Sequence, residues 1–136
     1  MNIRTIEESI INKLKDEFKD LLVQGFPEKP SEFIMIHPIA AILVHYQNSS
    51  YSHTYSLGCI TQDNKKEFSI TVITRNLRSN NGSYELIDRI KSLLTGFSPD
   101  SCSKLFPVKD YFISENSGIW QYGIDFSLNT TNIQIS

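Results

Sequence analysis

The chain predicts an α+β fold: a mainly antiparallel sheet of four to five strands with two helices packed on one face. Three observations predict it. Ile6, Ile10, Leu14, Phe18, Leu21 and Leu22 recur at three- and four-residue steps, with Ile11 widening the stripe, which is the period of a half-buried helix. Leu86, Ile87, Ile90, Leu93 and Leu94 repeat that period ahead of Gly96, a residue suited to the left-handed conformation that ends a helix. From Trp120 to Leu128 the period changes to two. Trp120, Tyr122, Ile124, Phe126 and Leu128 fall on one side, and Gln121, Gly123, Asp125 and Ser127 on the other, as on a strand with one packed face and one wet face.

The elements follow in order. Thr5 and Glu8 have the spacing of a capping box, so the first helix is expected to begin at Thr5 and to run through Leu22, where Gly25 and Pro27 stop it. Lys13, Lys15, Asp16, Glu17, Lys19 and Asp20 supply its solvated face. Phe26 to Pro38 holds three prolines and reads as an extended connector. Ile39 to Tyr46 is almost continuously apolar, the pattern of a strand buried on both faces, although pattern alone leaves a short helix open.

Gln47 to Ser56 is rich in Ser, Tyr and Asn and reads as a polar loop, with Tyr55 to Gln62 a short strand or loop arm. Lys66 to Asn76 is a strand with Phe68, Ile70 and Val72 on one face and Arg75 on the other. Asn80, Asn81 and Gly82 form a turn that leads to Ser83 as the helix cap. Pro99 to Ser103 is a loop. Lys109 to Glu115 and Ile119 to Asn129 form a hairpin across Asn116, Ser117 and Gly118. There is no internal repeat. One domain spans 1–136, with residues 1–4 and 130–136 expected to fray.

The 136 residues carry 13 basic and 15 acidic groups, a formal charge of −2. That balance offers no electrostatic footprint for nucleic acid or an anionic membrane. The longest apolar stretch, Ile39 to Val44, is far below the ~20 residues of a membrane helix. The N-terminus lacks the pattern of a signal peptide, so a cytosolic location is expected, and Cys59 and Cys102 read as reduced thiols.

Catalytic patterns are missing. No phosphate-binding glycine loop, nucleophile elbow or His-Glu-x-x-His run occurs, and the eight-residue spacing of His37, His45 and His53 matches no metal motif. The expectation is a protein that is not an enzyme and has no cofactor and no metal. Asp125 reads as a solvent-facing strand residue, and Trp120 and Tyr122 as core or subunit-interface aromatics. Unblunted edges of an open sheet lead us to expect self-association. Tyr51, His53 and Tyr55 cluster in the polar loop and, with Arg75, are the candidate protein-contact residues.

Four segments in this order carry a resemblance: Ile39 to Tyr46 followed by Ser49, Ser50 and Tyr51; Phe68 to Leu77 before a glycine turn; the helix end Leu93 to Pro99; and Gly118 to Tyr122. Together they resemble a family of small tail proteins from Mu-like phages and prophages, similar in role to the minor tail protein U type of tail terminator. The resemblance spans about residues 5 to 128 and rests on packing and turn residues. It implies a homo-oligomeric ring, usually a hexamer, that caps the tail tube, halts its polymerisation and joins tail to head. The implied partners are the tail tube protein and head-tail joining proteins, and the implied location is the host cytoplasm during assembly and then the virion tail. A neck or connector ring component, a small ligand-binding or enzymatic domain with its site near Asp125 and Arg75, and an adaptor using the Tyr51 loop are the competing readings.

Overall fold

The computed structural model describes residues 2–28, 39–51, 54–56, 59–99 and 103–135. The elements are α1 (Ile3–Glu17), β1 (Leu22–Gly25), β2 (Ala40–Tyr51), β3 (Thr54–Ser56), β4 (Cys59–Thr74), α2 (Ser83–Leu94), β5 (Phe106–Asn116) and β6 (Ile119–Ile135). The sheet runs β1-β2-β4-β6-β5, with β3 pairing β4 along the edge where β2 leaves off. Among the described residues β1 and β2 pair in parallel, and the other pairs are antiparallel. The α+β fold class and the two helices on one face are as the sequence predicts.

The helix-side core joins Ile6, Ile10 and Leu14 of α1 and Leu86, Ile90 and Leu94 of α2 to alternate residues of three strands. Those residues are Ala40, Ile42 and Val44; Phe68, Ile70 and Val72; and Ile124, Phe126 and Leu128. Each large side chain fully withdrawn from water here contributes about 1.5–3 kcal/mol against its exposed state. The opposite face has a smaller cluster of Ala41, Leu43 and Ile73, backed by Leu22, Phe26 and Ile119.

Several expectations are corrected. α1 begins after Asn2, whose side chain accepts the Thr5 amide at 2.7 Å, so Asn2 and not Thr5 is the cap. It ends at Glu17, because Phe18 leaves the helical region (φ −107°, ψ 63°) and tucks under Arg89, whose guanidinium sits 4.6 Å from its ring. Leu22 and Val23 then gain more as a strand beside β2, one on each face of the sheet, than as a further helical turn. Tertiary pairing overrides the helical period there.

Gln47 to Tyr51 is likewise not loop. It continues β2 against Lys65, Lys66 and Glu67 of β4, past a bulge between Tyr46 and Asn48. β4 itself starts at Cys59, well before Lys66, and pairs with β6 as far as Ile135, so the residues beyond Thr130 extend a ladder rather than fray. At α2 the cap is Gly82, with Ser83 the first helical residue. The Ser83 hydroxyl is engaged with Thr74 Oγ1 at 2.7 Å, and the Asn76 and Leu77 carbonyls take the Ser83 and Tyr84 amides instead. Glu85 reaches back to the Asn81 amide at 3.1 Å.

The connector reading of Phe26 to Pro38 and the loop reading of Pro99 to Ser103 fall largely outside the described residues, as do His37 and Cys102. The β5–β6 turn is tighter than expected: Asn116 pairs Ile119, and Ser117 (φ 53°) and Gly118 (φ 82°) alone make the turn. Two successive positive φ values match the right-handed twist of the flanking strands. Ser117→Gly should therefore leave stability unchanged or slightly raised. Gly118→Val should lower it by about 1–2 kcal/mol, the cost of the left-handed conformation for a side chain with a branched Cβ. Urea denaturation of both variants checks the pair.

Candidate functional site

The sequence-predicted contact residues do not converge. Tyr51 is exposed at the end of β2, opposite Asn64 of β4, whereas Arg75 follows the other end of β4. Eleven residues of strand at about 3.3 Å each put some 35 Å between them. His53 lies outside the described residues. Tyr55 is in β3, opposite Ile60, and only its backbone is described.

Two other constellations are built instead. The first is a polar row on the helix-free face. Register places His45 of β2, Ser69 of β4, Asp125 of β6 and Lys109 of β5 side by side across four strands. Asp125 is completely buried, which corrects the reading of a wet strand face; Ser127 and Ser69 are buried with it. The cause is Gly123. A Cβ there would meet Tyr111 ring atoms at 2.5 and 2.7 Å, so the missing side chain is what lets the Tyr111 ring lie flat across β6. Tyr111 then reaches two residues further along β6 and donates to Asp125 Oδ1 at 3.0 Å, while Lys109 covers its other side with Nζ 5.4 Å from the ring centroid.

Ser69 Oγ lies 2.7 Å from Asp125 Oδ1 and 2.5 Å from Gln47 Oε1. One hydroxyl proton cannot serve two acceptors. Turning the Gln47 amide so that its nitrogen donates to Ser69 sends the Ser69 proton to Asp125, and the chain of bonds becomes consistent. Asp125 Oδ2 and His45 Nδ1 are buried with no hydrogen-bond partner among the described residues. His45 packs edge-on to Phe26, at 5.2 Å between ring centroids.

Ser, His and Asp in one row invite comparison with a catalytic triad, but the order differs. A relay needs the imidazole between hydroxyl and carboxylate. Here Ser69 sits between His45 and Asp125 and gives its proton directly to the carboxylate. The arrangement is a latch tying β4, β5 and β6 together. It also removes the exposed carboxylate on which a ligand site near Asp125 and Arg75 would depend.

The second constellation is an aromatic rim on the helix side, where β5 and β6 meet α2. Arg78 lies 5.7 Å from the Tyr84 ring, Tyr84 meets Tyr122 edge-on at 6.4 Å, Tyr122 meets Phe112 at 5.6 Å, and Phe112 meets Trp120 at 6.2 Å. Tyr84 and Phe112 are 45% and 54% exposed. Trp120 and Tyr122, read as core or interface aromatics, are half-buried at this margin. Burial, then the neighbouring Tyr84 phenol, raises the Tyr122 phenol above its ordinary pKa. Beside them, Tyr84, Ile87, Asp88, Lys91, Asp110 and Tyr122 line an open groove of about 320 Å³, crossed by a Lys91–Asp110 ion pair at 2.9 Å.

β5 is an edge strand, yet it is not unblunted as the shorter expected strand implied. It starts at Phe106 and so adds Pro107 to the Lys109 of the expected strand, and it carries register shifts at Pro107/Lys109 and at Phe112/Ser114. Proline, lysine and bulges are the devices that discourage strand addition. Contact through this margin is thus contact through side chains. Among the described residues no group of three or more His, Cys, Asp or Glu could hold a metal ion, and no helix is long and apolar enough to cross a membrane.

Residues 10–136 match the Gp37 protein family, a phage-related family. The chain belongs to that family. A comparison with curated proteins finds no match.

Two outcomes test the polar row. Gly123→Ala should cost about 1–3 kcal/mol by overpacking against Tyr111, and far less in a Tyr111→Ala background, so a urea-unfolding double-mutant cycle should show strong coupling. Burial lowers the His45 pKa from its usual 6.5 more than the Asp125 charge raises it. The folded state thus resists protonation that the unfolded chain accepts, and stability present above pH 6.5 is lost as pH falls through the lower folded value. His45→Gln should flatten that part of the stability profile measured between pH 8 and about pH 5.

Proposed function

We propose that this Gp37-family protein is a phage or prophage tail assembly protein that caps the tail tube as a homo-oligomeric ring, most simply a hexamer, stops tube growth and presents a surface for head joining. The observation that carries the reading is the aromatic rim, in a chain that belongs to a phage-related family. Tyr, Trp and Arg are the residue types that dominate binding energy at protein interfaces. Here Arg78, Tyr84, Tyr122, Phe112 and Trp120 form one connected row at the margin of the sheet.

The mechanism is occlusion without chemistry. A ring seated on the last layer of tube subunits occupies the surface where another subunit would add. Its interface is heterologous, one patch of each copy meeting a different patch of the next, and it closes when the rotation per copy divides a full turn. The partners in this reading are the tail tube protein and head-tail joining proteins, and the protein works in the host cytoplasm before it becomes part of the virion tail. Near-neutral net charge suits close packing of identical copies.

The test is in vitro polymerisation of the tube protein from the same phage or prophage. Substoichiometric amounts of this chain should end elongation and leave a density ring at one tube end by electron microscopy. Tube lengths indifferent to the protein would overturn the reading. A Phe112→Ala, Trp120→Ala variant should lose capping while keeping its circular-dichroism spectrum.

A further inference from the structure

We infer that the outer edge of β6 from Leu128 to Ile135 pairs with the same segment of a second copy, antiparallel about a two-fold axis at Asn132. This contact is separate from the ring contact proposed above and does not rest on it.

β6 outlasts its neighbour on one side. β5 pairs with it as far as Phe106 opposite Ser127, whereas β4 stays with it to Cys59 opposite Ile135. Among the described residues, Leu128 to Ile135 therefore has β4 as its one neighbouring strand. The residue that leads into β5 does not fill the lane. Leu105 is held to the turn after α2, its amide on the Phe97 carbonyl and its carbonyl on the Gly96 amide, both at 2.8 Å. Its side chain is buried in the helix-side core.

The hairpin turn fixes where the backbone groups of β6 point. A two-residue turn makes Asn116 and Ile119 a hydrogen-bonded pair, and such pairs recur at every second residue of an antiparallel ladder. The register shifts skip residues of β5 and none of β6, so odd-numbered residues of β6 face β5 and even-numbered ones face β4. The register with β4 is unbroken to Ile135, so this parity holds along the whole strand. Past Ser127, the amides and carbonyls of Asn129, Thr131, Ile133 and Ile135 point out from the sheet.

A row of outward backbone groups takes another extended strand. Register selects the same segment of a second copy. With Asn132 opposite Asn132, Asn129 meets Ile135 and Thr131 meets Ile133, so every outward residue is paired. Each such pair exchanges two bonds, about eight in all. A one-residue slip would set outward groups against inward ones. A slip centred on Thr131 would send Ile135 against Ser127, which already pairs with Phe106. The two-fold also carries the partner's β5 to the far end of the overlap, so neither β5 blocks it. Composition agrees with self-pairing. The segment has no charge, proline or glycine, so two copies meet without repulsion, and Thr and Ile favour a strand. The edge of β5, with Pro107 and its bulges, is closed to this kind of contact.

The experiment uses the full chain with one cysteine added as a reporter. Asn132 and its symmetry mate form a non-hydrogen-bonded pair, with Cα atoms about 4.5 Å apart, within disulfide reach. Oxidised Asn132→Cys chains should therefore run as disulfide-linked pairs on a non-reducing gel. In this register Thr130 lies opposite Gln134, about 13 Å along the strand from its own mate. Thr130→Cys chains, which keep the same native cysteines, should not link.

Adding Thr131→Pro to Asn132→Cys should slow linking about ten-fold or more, because an outward amide is lost in both copies. That amide faces away from β4, so the circular-dichroism spectrum should stay that of the unsubstituted chain. No linkage at position 132, equal linkage at 130 and 132, or linkage at 132 indifferent to Thr131→Pro overturns the inference. Tube capping by chains that fail to link at 132 would remove this contact and leave the ring reading standing. Linked Asn132→Cys pairs from a chain that never caps would keep the contact and remove the ring.

Discussion

Everything in this molecule hangs on the register between its two longest strands. β4 and β6 pair without a bulge from Thr74 opposite Trp120 to Cys59 opposite Ile135. Side chains alternate between faces, so a slip of one residue would exchange the two faces of β6. Ile124 and Phe126 would leave the helix-side core, and Asp125 would be driven into it without Ser69 or Tyr111. The apolar layer under the helices and the polar latch on the opposite face are two results of one alignment.

The second face shows how a sheet can bury polar groups. Gly123 removes one side chain, Tyr111 fills the space, and its hydroxyl joins Ser69 at the carboxylate of Asp125. A buried carboxylate with two donors is far less costly than one with none. The remaining oxygen and the neighbouring His45 Nδ1 stay unpartnered among the described residues, and the depressed His45 pKa is the thermodynamic trace of that environment. The latch also joins edge strand β5 to the centre of the sheet through Asp125, so the aromatic rim is carried on a braced strand.

Much of this was readable from residue patterns, and the exceptions have specific physical causes. The stripe of α2 and the alternation of β4 and β6 were legible because local period and tertiary burial agree there. Leu21 and Leu22 misled because they stay in phase with the α1 stripe, while only pairing with β2 decides that the chain turns at Phe18. Gln47 to Tyr51 reads as loop because three of its five residues are Ser or Asn, yet β4 offers it a ladder to extend. The burial of Asp125 was hidden by one residue. The turn at Ser117 and Gly118 alone would set Gly123 opposite Phe112, and the register shift between Phe112 and Ser114 brings Tyr111 there instead. A glycine inside an otherwise regular alternation was the one signal that could have found it. The aromatic rim was half legible: Trp120 and Tyr122 drew notice, but Tyr84 and Phe112 join them only once α2 and β5 are placed.

If the margin formed by α2, β5 and the start of β6 is the working surface, hydrogen exchange compared between isolated and assembled protein reports it directly. Assembly should slow exchange at Tyr84 to Lys91 and along β5, while β4 and the paired part of β6 stay as protected as before. New protection confined to the polar face of α1, with the aromatic margin unchanged, would contradict it.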